Sequence, residues 1–147
     1  MYAIFCSFLL ASANLPSQEQ ANAALVKKMF EEVSEKMCVD HLKDFFSEDL
    51  ELVSNNHTMN LSHLKEHLSQ AFAMIQSVQF KKPFEEFLAH DDKVVTRFTI
   101  ATTDKKGNQK ESGVIAIYQI KDGKIAKWWE VTYPDWKSEN ITSEITR

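Results

Sequence analysis

The spacing of the apolar residues changes midway along this chain, from a helical repeat to the repeat of β-strands. Before residue 78, apolar side chains recur every three or four positions, and beyond it they fall in short runs separated by polar turns. Helices followed by consecutive strands are typical of an α+β fold, in which helices cover one face of an antiparallel sheet. A chain of 147 residues suits a single domain with one core.

Three helices are predicted in the first half of the chain. Ser17 and Gln20 have the capping-box spacing that starts a helix, and the apolar arc that follows extends to Met37. The predicted helices are Gln18–Met37, a short Val39–Phe46 and Leu61–Ile75, with a strand at Leu50–Ser54 before the last of them.

Five strands are predicted in the second half of the chain. The predicted strands are Val78–Phe80, Phe84–Ala89, Val94–Thr103, Gly113–Ile120 and Lys124–Tyr133. Asp122-Gly123 separates the last two, and an Asp-Gly pair favours a type I′ turn because both central positions need positive φ. The last two strands are therefore predicted to form a tight hairpin.

Two segments carry a family resemblance: Phe46-Ser-Glu-Asp-Leu-Glu-Leu and Asp122-Gly-Lys-Ile-Ala-Lys-Trp-Trp-Glu-Val131. With the order of helices and strands, they resemble the SnoaL-like branch of the nuclear transport factor 2-like superfamily. The resemblance implies a cone, in which three N-terminal helices pack on a curved antiparallel sheet over one internal pocket. The predicted domain covers residues 17–136, with a candidate signal peptide at 1–13 and a frayed tail at 137–147.

The resemblance also suggests functions. Members include polyketide cyclases, ketosteroid isomerases, epoxide hydrolases, dehydratases and proteins without chemistry. In the cyclase pattern Gly-Lys-Ile-x-x-His-Trp-Asp the Asp is the acid/base inside the cone; here Glu130 stands in its place, Trp129 matches the Trp and Trp128 replaces the His. Ser54 and Phe30 occupy the positions of the isomerase base and its phenol donor, so steroid isomerisation is not favoured.

The predicted hairpin gives Glu130 apolar neighbours. A two-residue turn pairs Ile117 with Trp128 and Ile115 with Glu130, and the resemblance places this face inside the cone. A carboxyl group buried there has a raised pKa, which suits a general acid or base. We therefore predict Glu130 as the catalytic candidate and Trp128, Ile115 and Ile117 as ligand-binding candidates.

Other polar residues have alternative interpretations. Glu130 could instead form an ion pair with Arg97, the only arginine before the last residue, or Arg97 could bind a ligand carboxylate. The resemblance places His57, in the loop before the third helix, near the cone mouth, which makes it a further ligand-binding candidate. His63 and His67 match an H-x-x-E-H pattern but lie opposite the apolar stripe of their helix, so we expect surface residues and no metal site.

The composition limits the partners. A formal net charge of -4, with both signs interspersed, provides no basic stripe for nucleic acid, and no glycine-rich phosphate loop is present, so no cofactor is expected. The leading hypothesis is a domain that binds a small, mainly apolar molecule. The alternatives are an acid/base lyase or isomerase of the polyketide cyclase type, and a homodimeric interaction module. The last would use an outer sheet face with Tyr118, Trp129 and Tyr133.

The apolar segment Met1–Leu10 precedes Ala11-Ser12-Ala13, a small-x-small pattern that signal peptidase accepts. Cleavage after Ala13 would make the protein secreted or periplasmic; without cleavage a cytoplasmic location is expected. The segment is too short to cross a bilayer, which requires about 20 apolar residues, and no membrane span is predicted.

Overall fold

The computed structural model describes residues 15–134, so the candidate signal peptide at 1–13 and the predicted tail at 137–147 lie outside the described residues. The helical elements are α1 (Gln18–Met29), a π-helical turn (Phe30–Glu35), a 3₁₀ turn (Val39–His41), α2 (Leu42–Phe45) and α3 (Leu61–Met74). The strands are β1 (Phe46–Ser54), β2 (His57–Met59), β3 (Ile75–Phe80), β4 (Glu86–His90), β5 (Lys93–Asp104), β6 (Gln109–Lys121) and β7 (Lys124–Tyr133). Helices packed on a curved sheet confirm the predicted α+β class.

The capping box starts α1 as predicted. Ser17 Oγ accepts a hydrogen bond from the Gln20 amide at 3.2 Å, and Gln20 Oε1 accepts one from the Ser17 amide at 2.9 Å. The predicted first helix is not α-helical to Met37, because its final part is the π-helical turn and Met37 has a φ of 50°. The turn keeps Phe30 and Val33 buried.

The sheet has seven strands in the order β2-β1-β7-β6-β5-β3, with β4 also paired to β5. Neighbouring strands are antiparallel except β1 and β7, which are parallel. The sheet is therefore mixed and open, whereas the sequence predicted an antiparallel one. Alternation of apolar residues does not encode strand direction, and a parallel partner distant in sequence leaves no turn motif.

One strand was not predicted. Asn55 and Asn56 have φ values of 45° and 67°, and they reverse the chain so that Ser54 pairs with His57. Asparagine tolerates this left-handed conformation better than most residues. The segment interpreted as a loop is thus a short hairpin, and His57 belongs to β2.

The β6–β7 hairpin has the predicted turn but not the predicted register. Asp122 and Gly123 have φ values of 51° and 73°, as a type I′ turn requires. Beyond the pair Ile120–Ile125 the register shifts by one residue, which leaves Ala126 as a β-bulge. From there Tyr118 pairs with Trp128 and Ala116 with Glu130, so the predicted pairs Ile117–Trp128 and Ile115–Glu130 are wrong.

The core lies between the helices and the inner face of the sheet. Its fully buried side chains include Val26, Met29 and Val33 from the first helical segment and Val94, Tyr118 and Ile125 from the sheet. Phe30 joins the two layers, with its ring centroid 4.8 Å from Phe80, 5.3 Å from Phe84 and 5.0 Å from Phe98. No helix between residues 15 and 134 is both long and apolar enough to span a membrane.

Candidate functional site

A row of four side chains, three of them polar, crosses four strands on the inner face of the sheet. Thr96 of β5 pairs with Ala116 of β6, Ala116 with Glu130 of β7, and Glu130 with Ser54 of β1. Cross-strand partners point to the same face. Thr96 and Ala116 are fully buried and Ser54 is 1% exposed, so the row lies on the face that the helices cover.

The Glu130 carboxyl group is fixed within this row. Ser54 Oγ donates a hydrogen bond to Glu130 Oε1 over 2.7 Å. Burial of the carboxyl raises its pKa, although the residue as a whole keeps some exposed area. The Ser54 hydrogen bond and the nearby Trp128 indole lower the pKa by smaller amounts. Glu130 therefore retains a proton to higher pH than an exposed glutamate, as an acid/base group working near neutral pH requires.

The adjacent row places two aromatic residues beside the carboxyl. Tyr118 and Trp128 are paired, with ring centroids 5.4 Å apart, and Trp128 stacks on Phe46 at 5.9 Å. Burial raises the pKa of the Tyr118 phenol well above its usual value; the Glu130 charge raises it further and the Thr96 hydroxyl lowers it. The phenol therefore stays protonated beside the Glu130 carboxyl, whose own pKa is also raised.

Asn55 is hydrogen-bonded to the end of β7 beside Glu130. Its amide donates to the Glu130 carbonyl oxygen at 3.1 Å. Its side-chain Nδ2 donates to Thr132 Oγ1 at 2.7 Å, and its Oδ1 accepts from the Thr132 amide at 3.0 Å. Neither Asn55 nor the role of Ser54 beside Glu130 was predicted. The Asn-Asn pair was the available signal, since it marks a turn at the end of β1.

Three predicted site residues lie on the outer face instead. Ile115 and Ile117 are 54% and 37% exposed, because β6 alternates regularly and its other face, with Val114, Ala116 and Tyr118, is the buried one. Arg97, paired with Ile115, shares that outer face, and its Nε lies 2.8 Å from Glu85 Oε2. The predicted ion pair between Arg97 and Glu130 is therefore wrong, and these three residues do not line the interior.

The histidines are spread over the surface. His57 is exposed on β2, and on α3 His63 is exposed while His67 is partly buried. None of them is among the contacts described for Glu130. A ligand-binding role for His57 remains a prediction.

A second polar cluster, which was not predicted, is formed by Glu19, His90 and Asp91. Their ligating atoms lie within 4.8 Å of one another, the only such group found among residues 15–134. The Asp91 amide donates to Glu19 Oε1 at 3.0 Å, and Asn22 Nδ2 donates to the Asp91 carbonyl oxygen at 3.1 Å. These contacts bind the β4–β5 turn to α1, with His90 largely in solvent.

Helices on one face of an open, curved sheet, with an acid on the covered face, define a class of small α+β domains with a helix-covered polar site. The family model of the SnoaL-like domain matches residues 26–128. The chain therefore belongs to the SnoaL-like family, within the nuclear transport factor 2-like superfamily. The matched segment ends at Trp128, two residues before Glu130.

Solved structures share the fold at low sequence identity. A SnoaL-like polyketide cyclase from Agrobacterium tumefaciens is 17% identical, over 82% of this chain and 97% of its own, with a TM-score of 0.64. PrhC from Penicillium brasilianum is 12% identical, over 84% and 87%, with a TM-score of 0.70. A nuclear transport factor 2-like protein from Burkholderia xenovorans is 18% identical, over 80% and 92%, with a TM-score of 0.65. No curated protein sequence matches the chain.

Proposed function

We propose that this domain binds a small, mainly apolar molecule against the inner face of its sheet, with Glu130 as the acidic contact. The observation that carries the proposal is the placement of the Glu130 carboxyl on the helix-covered face, next to Trp128 and fixed by Ser54. Ligand sites are commonly apolar, with a few fixed polar groups that orient the ligand. The family supports the same class of function, since its relatives include a polyketide cyclase.

Partly buried apolar side chains indicate where such a molecule would lie. Leu68 and Phe72 of α3 pack against the core, as do Trp128 and Met59, without being fully buried. Glu130 also keeps some exposed area. An apolar molecule covering these side chains would remove further apolar surface from water, which favours binding by about 25 cal/mol for each Å² buried.

Extraction of co-purified small molecules, followed by mass spectrometry, tests this proposal. We expect an apolar molecule enriched in the wild-type protein and depleted in Glu130→Gln. Glu66→Gln, at an exposed position on α3, is the matched control and should retain the molecule. A wild-type protein that is empty, and that binds no apolar compound added to it, would contradict the proposal.

A second candidate function is acid/base catalysis by Glu130, as in an isomerase or lyase. Its specific support is the burial that raises the pKa of this carboxyl toward neutrality. Incubation of the recovered molecule with protein in D₂O, followed by NMR, would detect deuterium uptake or conversion. Loss of turnover in Glu130→Gln at an unchanged Tm would support catalysis; unchanged turnover would exclude Glu130 as the acid/base group.

The outer face of the sheet supports a third function, self-association. Ile115 pairs with Val131 there and Ile117 with Trp129; Ile115 and Val131 are 54% and 62% exposed. Tyr133 also lies on this face, but Tyr118, which the sequence analysis assigned to it, is fully buried on the inner face. Contiguous exposed apolar side chains often mark interfaces, and we propose a second copy of the chain as the partner.

Sedimentation velocity tests the proposed dimer. The wild type should sediment as a dimer, and Val131→Lys should shift it to monomer because the charge would be buried in the interface. Met74→Lys, at an exposed apolar position on α3, is the control and should leave the dimer intact. A monomeric wild type would exclude self-association through this face.

A further inference from the structure

A cleft opens between the first helical segment and the connection from β3 to β4. Its volume is about 380 Å³, within the range of roughly 300–1,000 Å³ that is usual for ligand sites. The walls are apolar and come from Phe30 of the π-helical turn, Pro83 and Phe84 of the connection, and Phe87 of β4. None of these four side chains was predicted to bind a ligand.

We propose that this cleft is a second binding site, for a small aromatic molecule that carries a carboxylate group. The site is additional to the one proposed at Glu130 and uses none of its residues. It also takes a ligand of different charge, because its polar contact is a cation and not an acid.

The cleft and Glu130 lie at opposite ends of one cross-strand row. Phe87 pairs with Thr96, Thr96 with Ala116, and Ala116 with Glu130. Phe87 is thus three strand spacings from Glu130, or about 14 Å at about 4.8 Å for each spacing. Thr96 and Ala116, which lie between them, are fully buried. A small molecule in the cleft therefore does not reach Glu130 along this row.

The walls of the cleft favour an aromatic ring. Phe84 lies at their centre, with its ring centroid 5.3 Å from that of Phe30 at an interplanar angle of 84°, and 5.8 Å from that of Phe87. Phe84 and Phe87 are only partly buried. Aromatic rings prefer edge-to-face and offset contacts at such distances. A planar ring in the cleft would extend this cluster and remove its exposed apolar surface from water.

The backbone beside the cleft is also unusual. Phe30 and Glu31 are the first residues of the π-helical turn, and the Lys36 amide donates to the Glu31 carbonyl oxygen at 3.3 Å, five residues earlier. Turns of this kind are rare and occur frequently at functional sites. The turn therefore supports a function for the cleft independently of its apolar walls.

The rim of the cleft carries three charged side chains: Lys27, Glu31 and Lys82. Two of them have groups of opposite charge nearby. Lys82 Nζ lies 3.0 Å from Glu35 Oε1. Glu31 lies close enough to Lys36 to contribute to the raised pKa of that lysine, whose main cause is a hydrogen bond to Glu32.

Lys27 differs from the other two. Its Nζ lies 4.9 Å from the centroid of the Phe87 ring, on the cleft wall, and it forms no ion pair within residues 15–134. Glu31 is four residues further along the chain, the usual spacing of an ion pair on a helix, yet the ammonium group contacts the aromatic wall instead. A carboxylate on the ligand would supply the missing negative charge, whereas a cationic ligand would be repelled.

NMR titration of the ¹⁵N-labelled protein with two naphthalene probes tests the second site. 2-Naphthoate carries the carboxylate, and 2-naphthamide is a neutral molecule of nearly the same shape. Both should shift the amide signals of Phe84 and Phe87. We expect 2-naphthoate to bind about fivefold more tightly than 2-naphthamide, as for one partly exposed ion pair. The preference should shrink at about 1 M salt, which screens exposed charges.

Lys27→Met tests whether this lysine is the cation. Methionine keeps much of the aliphatic side chain without the charge, so the preference for 2-naphthoate should disappear while binding of 2-naphthamide changes little. Lys27→Arg should retain the preference. Lys28→Met, at the next residue, which is also exposed but does not line the cleft, is the matched control and should retain it as well.

Four results would overturn the second site. Equal affinity for the two probes, or an unchanged preference in Lys27→Met, would exclude the proposed ion pair. Signal changes confined to the surroundings of Trp128 and Glu130 would exclude the cleft and leave the function proposed for Glu130 intact. Failure of both probes to bind would exclude the cleft too, whereas the Glu130 site is tested separately by its own co-purified molecule.

Discussion

Replacing Ser54 with alanine tests whether its hydroxyl holds the Glu130 carboxyl in place. The bond from Ser54 Oγ to Glu130 Oε1 is 2.7 Å long and Ser54 is 1% exposed, so water has little room to replace the hydroxyl. A hydrogen bond to a charged group contributes about 1.5–3 kcal/mol, and one between neutral groups about 0.5–1.5 kcal/mol. We therefore expect Ser54→Ala to lower the free energy of unfolding by about 2 kcal/mol when Glu130 is ionised, and by about 1 kcal/mol when it is protonated.

Urea unfolding at two pH values measures this difference. Near pH 4 the protonated form of Glu130 predominates, because its folded-state pKa lies above the ordinary 4.5, and the ionised fraction increases as the pH is raised to 8. Ser47→Ala is the control, since Ser47 donates to the exposed Asp49 carboxylate on the same strand and its loss should cost less than about 0.5 kcal/mol. A cost for Ser54→Ala that is the same at both pH values, or no larger than the control, would refute the reasoning. In a Glu130→Gln background the pH dependence of the cost should disappear.

Three further predictions concern stability. Burial raises the folded-state pKa of Glu130, so the native state binds the proton more tightly and wild-type stability falls as the pH rises from the unfolded-state pKa to the folded-state pKa. Glu130→Gln removes this loss, so the Tm of the variant minus the Tm of the wild type should increase with pH. A difference in Tm that stays constant with pH would contradict the raised pKa of Glu130. In Gly123→Ala the added methyl group meets no atom within 4 Å, but the alanine must adopt a φ of 73°. The free energy of unfolding, measured by chemical denaturation, should therefore fall by about 1 kcal/mol, and an unchanged midpoint would argue against the type I′ turn. Asn55→Gly permits the positive φ but removes both side-chain bonds to Thr132, so unfolding should become easier by about 1–2 kcal/mol, whereas a gain in stability would show that those bonds contribute little.

Local motifs were the features that the sequence predicted best. Ser17 with Gln20 starts α1, and Asp122-Gly123 makes the last turn, because in both cases neighbouring residues determine the conformation. The order of helices and strands followed from apolar periodicity in the same way. The parallel pairing of β1 with β7 was not predictable, since it joins strands about seventy residues apart without a connecting turn.

Contacts that are distant in sequence lie at the register shift of the last hairpin. The Ile120 amide donates to the Asp92 carbonyl oxygen at 2.7 Å, and Gln119 Nε2 donates to Asp92 Oδ2 at 2.6 Å. These bonds to the β4–β5 turn coincide with the point where the register shifts. Alternation could not reveal the shift, because β6 is apolar on both faces between Val114 and Ile120.

The bulge also explains why Glu130 can be inside at all. Ile125 is fully buried, and without the extra residue Ala126 the strand would alternate so that Lys127, Trp129 and Val131 faced the interior as well. With the bulge, Val131 is instead 62% exposed and Glu130 takes an inward position. A strand that exposes a valine and covers an acid departs from hydrophobic patterning, and natural proteins make such departures mainly at functional sites. The register of β7 therefore favours a function for the Glu130 carboxyl, independently of the raised pKa.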